Sequence, residues 1–331
     1  PPKVLALLLT PELACVPESS QELLSGLMRL VVLLPSSKLR AALEAIAAPL
    51  LAHLAALAAQ LRATGCAAHQ LAHAQAAAAA LVQLLRCVMR FLDVPPLALW
   101  PAAVEGQPPI SAHATELLLR EAWATLEAVR EAAGRQPSLG AALCDFYEAA
   151  MRAGASGARR GEGGTALLEW LPRIVAALHA LLATHLASGT DAEAPPAEAD
   201  PADMACQLLG ALATAVECFG GAAEASGFLG EMLARTADTL GSRLATPERI
   251  AASPAVSAAY LDLFYRSAIF AEAALYRSPR LVGATLALVV PSLRQPQREL
   301  LRAACTLLAR LASATAELTH VLELQARPRH K

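Results

Sequence analysis

The sequence predicts an all-α fold, and three observations carry that prediction. Alanine and leucine supply most of the 56% of its 331 residues that are hydrophobic, and both lose little rotamer freedom in a helix. The β-branched and aromatic residues that strands favour are scarce, aromatics amounting to 4%. Apolar positions recur three and four residues apart along much of the chain, the spacing that lines one face of a helix.

Leu24, Leu27, Met28, Val31 and Leu34 make the first stripe, in a helix expected over 20–34, and Ser19 with Glu22 offers a capping box ahead of it. Pro35, Ser36 and Ser37 interrupt the pattern before helices over 38–62 and 68–92. Leu119, Ala122, Trp123, Leu126 and Val129 line a helix over 113–133, with Glu116, Arg120, Glu127 and Arg130 opposite as a solvated, salt-bridging face. Helices follow over 138–153, 165–187, 202–219 and 223–244, the last interrupted at Gly241 and Ser242. Thr246 before Pro247 and Ser278 before Pro279 each place an N-cap ahead of a proline at the first helical position, where its missing N–H costs nothing. Helices over 255–274, 278–290 and 297–315 complete the series, separated at Ser253, Pro254 and the stretch 291–296. Val256, Tyr260, Leu263, Phe264 and Ala271 form the stripe of the first of these, and Leu300, Ala304, Leu307, Leu308 and Leu311 that of the last.

Paired in order, these helices give five to six hairpin units of about 40–47 residues, the period of HEAT or armadillo repeats. The expected architecture is therefore an α-solenoid occupying 1–331 as one segment, because so many helices with short links suit nearest-neighbour stacking better than a closed bundle. Three breaks are longer. Residues 94–113 carry five prolines around Trp100 and read as an extended inter-repeat loop; 154–165 (GASGARRGEGGT) read as a flexible Gly/Arg loop. The acidic, Pro/Ala-rich stretch 189–202 (GTDAEAPPAEADPA) is expected to be a flexible linker, since it has too little apolar surface to offset the entropy of ordering.

A net charge of −2 provides no global field for nucleic acid or an anionic membrane. Seven cysteines, an odd number and widely scattered, point to free thiols in a reducing compartment. Mean hydropathy is +0.43, and the uncharged run 63–85 is long enough to span a bilayer. It includes His69, His73, Gln70, Gln75 and Gln83 among weakly hydrophobic alanines, so no membrane insertion is expected. The start PPKVLALLLTPELA lacks both an initiator Met and a basic n-region, which suggests no signal peptide and a piece of a longer protein.

Candidate chemistry is sparse. Cys66, His69 and His73 share a helix face, but a zinc site wants a fourth ligand or a catalytic acid, and no Asp or Glu is close in sequence. The stretch 157–164 has glycines and arginines but not the Lys-Ser/Thr ending of a phosphate-binding loop; Arg159 and Arg160 there could meet an acidic or phosphorylated partner. Asp191, Glu193, Glu198, Asp200 and Asp203 could attract a basic cargo, although such runs are usually solvated, and Arg327, Arg329 and Lys331 make a weak basic tail. Trp100, Trp123 and Trp170 are dispersed in sequence, too far apart for a nucleic-acid stacking platform. No catalytic fingerprint appears, so neither an enzyme nor a cofactor is expected.

The stretch 260–282, YLDLFYRSAIFAEAALYRSPRLV, concentrates aromatics and ends at a Ser-Pro that opens another helix. It resembles the corresponding helix pair of the transportin-SR/importin-13 branch of the importin-β superfamily (the karyopherins), with Tyr260, Phe264 and Phe270 as its identifying rings. PESSQELLSGLMRLVVLLPSSKLRAALEAI at 17–46 and ATELLLREAWATLEAV at 114–129 agree with the same branch, in order. The resemblance implies a middle to C-terminal HEAT-repeat fragment of a nuclear transport receptor. Such a receptor shuttles between nucleus and cytoplasm, meets nucleoporins, and carries protein cargo such as SR-type splicing factors or other nuclear proteins. It releases cargo when Ran-GTP binds the full-length receptor. One departure matters: the family's Arg-rich helix, which grips phosphorylated Arg-Ser segments, corresponds to LGAALCDFYEAAMRA at 139–153. In register, Arg152 alone remains of four arginines, with Ala142, Asp145 and Glu148 at the other three positions, and two carboxylates repel phosphoserine. Arg152, helped by Arg159 and Arg160, is the candidate cargo-binding set. The alternative is a HEAT-repeat scaffold or adaptor outside nuclear transport.

Overall fold

The computed structural model describes residues 17–34, 36–63, 68–92, 114–133, 136–158, 164–188 and 201–326. Among them it contains thirteen α-helices, one 3-10 turn and no strand: the protein is all-α. It packs as two compact units, Pro1–Thr214 and Ala215–Lys331.

In the first unit the helices are α1 (Pro17–Val31), α2 (Ser36–Arg62), α3 (Ala68–Arg90), α4 (Ala114–Ala133), α5 (Pro137–Ala158) and α6 (Gly164–Ser188), followed by the N-terminal part of α7 (Pro201–Phe219). Contacts run to the second neighbour in the chain. α1 lies on α3, α3 on α5, α2 on α4 and α4 on α6, while α2 with α3, α4 with α5 and α5 with α6 touch as consecutive helices. Each helix therefore buries a stripe against several neighbours. Leu24 and Met28 of α1, Leu85 and Met89 of α3, and Phe146 and Tyr147 of α5 are sealed from solvent. Burial of each such side chain is worth roughly 1.5–3 kcal/mol.

Two expected local features differ. α1 begins at Pro17, which suits a first helical position, so Ser19 lies inside the helix and caps nothing. α5 runs on to Ala158 and α6 starts at Gly164, so Gly154–Ala158 is helix and not loop. Gly154 has a packing reason: a Cβ there would overlap the Leu167 side chain of α6. The expected breaks at 94–113 and over most of 189–202 lie outside the described residues, as do Arg159 and Arg160, the basic tail, Cys15, Cys66 and Trp100.

The second unit contains the end of α7, the 3-10 turn Ala223–Ala225, α8 (Ser226–Gly241), α9 (Pro247–Ala252), α10 (Pro254–Phe270), α11 (Glu272–Tyr276), α12 (Pro279–Ser292) and α13 (Arg298–Ala326). Here α10 lies on α13 and α8 on α12, with the short α9 and α11 turning the chain at the corners. The two Ser/Thr-Pro starts are realised: the Thr246 and Ser278 hydroxyls accept the backbone N–H of Arg249 and Leu281. The helix expected over 255–274 is broken at Ala271, whose backbone leaves the helical region at φ −133° and ψ 46°.

Among the described residues three helices are long and apolar enough by length and composition to cross a membrane, Lys38–Arg62, Ala68–Arg90 and Leu167–Ala187, with a third to a half of the most apolar stretch of each buried within the protein. Gly220 sets the tightest backbone approach in the second unit: a Cβ there would overlap the Phe270 carbonyl group, a backbone partner that cannot rotate away. Gly220→Ala should therefore destabilise the protein by about 1–3 kcal/mol, whereas Gly221→Ala, with open space around it, should cost far less. Equilibrium urea unfolding of the two variants checks the contrast.

Candidate functional site

The helix singled out by sequence, α5, sits between α3 and α7, and its polar residues are spent on those neighbours. Asp145 accepts a hydrogen bond from Gln83 of α3 (3.0 Å) and pairs with Arg86 of the same helix at 3.4 Å. Gln83 in turn accepts from Arg86, closing a three-residue network. One turn on, Glu148 holds Arg152 at 2.7 Å, and Arg152 donates to the Thr214 hydroxyl of α7 at 3.3 Å. Ala142, the third position that the resemblance singles out, is fully buried.

This geometry changes the meaning of three residues. Asp145 and Glu148 are joints between helices, each about a third exposed, and not simply a repulsive face towards phosphate. Arg152 is exposed but already engaged by a carboxylate on its own helix. A phosphoryl group arriving there competes with Glu148, an i,i+4 pair of modest strength, so the arrangement permits exchange of partners.

Beneath this face lies an aromatic cluster that spacing along the chain did not reveal. Trp123 of α4 and Trp170 of α6 sit 5.5 Å apart, ring centre to ring centre, and Tyr147 of α5 lies 5.9 Å from Trp123. The two tryptophans dispersed in sequence are thus brought together by the contact of α4 with α6. Trp170 and Tyr147 are buried, so the cluster is packing and not an open stacking platform. Arg173 stacks its guanidinium over Trp170 at 4.9 Å. Burial pushes the Tyr147 hydroxyl well above the usual tyrosine range, reinforced by Glu127. His185 of α6 is also buried and packs beside Gly140, and desolvation lowers its pKa.

Expected solvated charges are partly drawn in. Glu116 is buried and bonds Arg120 at 2.5 Å, while Glu127 and Arg130 pair at 2.8 Å, each less than a third exposed. His69 and His73 are exposed on α3, and the described residues contain no group of three or more His, Cys, Asp or Glu placed to hold a metal. The described cysteines are free thiols; Cys144 is buried, donates to the Gln207 carbonyl at 3.4 Å, and is raised far above its ordinary pKa by desolvation.

No protein-family model matches this chain, and no curated protein is significantly similar to it.

The cross-link between α3 and α5 is the part of this face most open to test. Asp145→Arg sets an arginine against Arg86, so it should cost about 1–2 kcal/mol of stability. The double variant Arg86→Glu with Asp145→Arg should recover part of that loss. Urea midpoints of the single and double variants measure it.

Proposed function

We propose that this chain is a segment of an importin-like nuclear transport receptor, a non-enzymatic HEAT-type solenoid that binds protein cargo. The observation that carries the reading is the run of second-neighbour helix contacts, α1 on α3, α2 on α4, α3 on α5 and α4 on α6. Such contacts are those of helical hairpins stacked one on the next, where each unit is stabilised by its neighbours. The ordered strings at 17–46, 114–129 and 260–282 support the transport branch within that architecture.

The mechanism follows from the contacts. Strain in a stacked array is shared over many small interfaces, so a ligand that favours one pitch disfavours a ligand that needs another. Ran-GTP and cargo would exclude each other in this way, without chemistry. Cargo could be an SR-type or another nuclear protein. The engagement of Asp145, Glu148 and Arg152 in contacts within the protein favours cargo held through several faces over a phosphoserine clamp on α5 alone.

The full-length gene product containing this chain, immobilised and offered purified Ran, should retain the GTP form and not the GDP form. Its bound nuclear cargo should be released as Ran-GTP is added. Equal retention of both nucleotide forms, or of neither, overturns the transport reading and leaves a helical scaffold.

A further inference from the structure

Four arginines that are scattered in sequence lie on or beside two turns of the second unit that dock on each other. Arg243 lies in the turn after α8, Arg249 in α9, Arg294 in the turn after α12, and Arg298 opens α13. Two hydrogen bonds bring these turns together. Arg249 donates from Nη1 to the Ser242 carbonyl at 2.7 Å, laying its guanidinium on the turn that carries Arg243. Gln295 donates from Nε2 to the Pro247 carbonyl at 3.3 Å, docking the Arg294 turn on the start of α9. α9 also packs against α12.

Among the described residues none of the four forms an ion pair, although most arginines elsewhere in the protein do. The nearby acids are already engaged. Glu299 is held by Arg302 at 2.6 Å, Asp238 by Arg280 at 2.5 Å, and Glu248 by its own backbone N–H and the Thr246 hydroxyl.

The same α8–α9 turn forms a wall of an apolar cleft of about 280 Å³. Leu244 and Ala245 line it from the turn, Tyr260 from α10, and Ala284, Ala287 and Leu288 from α12. Alanines leave the cleft open where larger side chains would fill it. An apolar slot walled by a turn that carries an arginine, with the other arginine-bearing turn docked beside it, favours a ligand that is apolar and acidic.

We propose that this edge of the second unit is a docking site for an acidic amphipathic segment of a partner protein, with a leucine-type side chain seated against Leu244 and Leu288 and carboxylates on Arg243, Arg249, Arg294 and Arg298. A nucleic acid fits less well: the one ring lining the cleft, Tyr260, is 2% exposed and offers no stacking surface. A membrane surface fits less well too, because the arginines stand around turns and not along the polar face of one amphipathic helix. The proposal is independent of the transport reading, since any helical scaffold could present this edge.

The test is fluorescence anisotropy of the full chain with a fluorescein-labelled peptide of glutamates and helically spaced leucines. A counterpart with serines for leucines and heparin as a competing polyanion serve as comparisons. The glutamate–leucine peptide should bind saturably. Arg294→Glu combined with Arg298→Glu should weaken it about tenfold, and Ala287→Trp, which fills the cleft from an exposed position, should weaken it comparably. The serine peptide should bind about tenfold more weakly than the leucine peptide to the unaltered chain, a comparison that needs no variant to fold. Absence of saturable binding, equal binding of the two peptides, or indifference to both variants overturns the proposal. Heparin binding tighter than the leucine peptide would do the same, marking the edge as a general polyanion surface.

Discussion

In the first unit the helices α1 to α6 are held by packing against second neighbours, and in the second unit α10 lies on α13 and α8 on α12. Polar cross-links record that register. In the first unit Ser25 meets Cys87, Arg62 meets Glu131, Gln83 meets Asp145 and Arg152 meets Thr214, at separations of 62, 69, 62 and 62 residues. In the second unit Glu217 meets Arg266, Asp238 meets Arg280 and the Ala268 carbonyl accepts from Arg310, at separations of 49, 42 and 42. These partly exposed links contribute little energy singly, but they fix which turn of one helix faces which turn of the next. The buried stripes supply the stability, and the cross-links supply the register.

The separation of these cross-links follows helix length. Helices α2, α3 and α6 run 27, 23 and 25 residues, and a hairpin of two such helices exceeds the 40–47 residues expected from the period. Helices α8, α10 and α12 run 16, 17 and 14 residues, and the link separations there shorten to 42–49 residues. The hydrophobic pattern was enough to find the helices, since alanine and leucine at three- and four-residue spacing leave few alternatives. The break at Ala271 was invisible because IFAEAA is good helix-forming sequence; the close approach of Gly220 to the Phe270 carbonyl accompanies it, a contact 50 positions away in the chain. Tertiary packing overrides propensity there. Phe270 is accordingly half-exposed, unlike Tyr260 and Phe264, and Leu308 faces outward although its spacing placed it in the core stripe.

The candidate sites divide in the same way. Asp145, Glu148 and Arg152 were singled out by the resemblance of 139–153 to an Arg-rich helix of the transport receptors. Their roles as joints could not be read from sequence, because the partners Gln83, Arg86 and Thr214 lie about sixty residues away. The arginines left no sequence signal at all: Arg243 and Arg249 flank the turn into α9, Arg294 and Arg298 flank the turn into α13, and the two turns come together only where α9 rests on α12. Charge patterning along a chain finds runs, and folding assembles patches from isolated residues.

Stacking by neighbours makes a definite statement about how damage spreads. Tyr147→Ala removes a fully buried ring from α5, at the contact with α3, α4 and α6. Hydrogen exchange followed by mass spectrometry, peptide by peptide, reads the response. Faster exchange concentrated in α3 through α7 and fading towards α1 is the result predicted for helices stabilised by their neighbours. Equal acceleration in every helix from α1 to α7, as in a single all-or-none core, would contradict it.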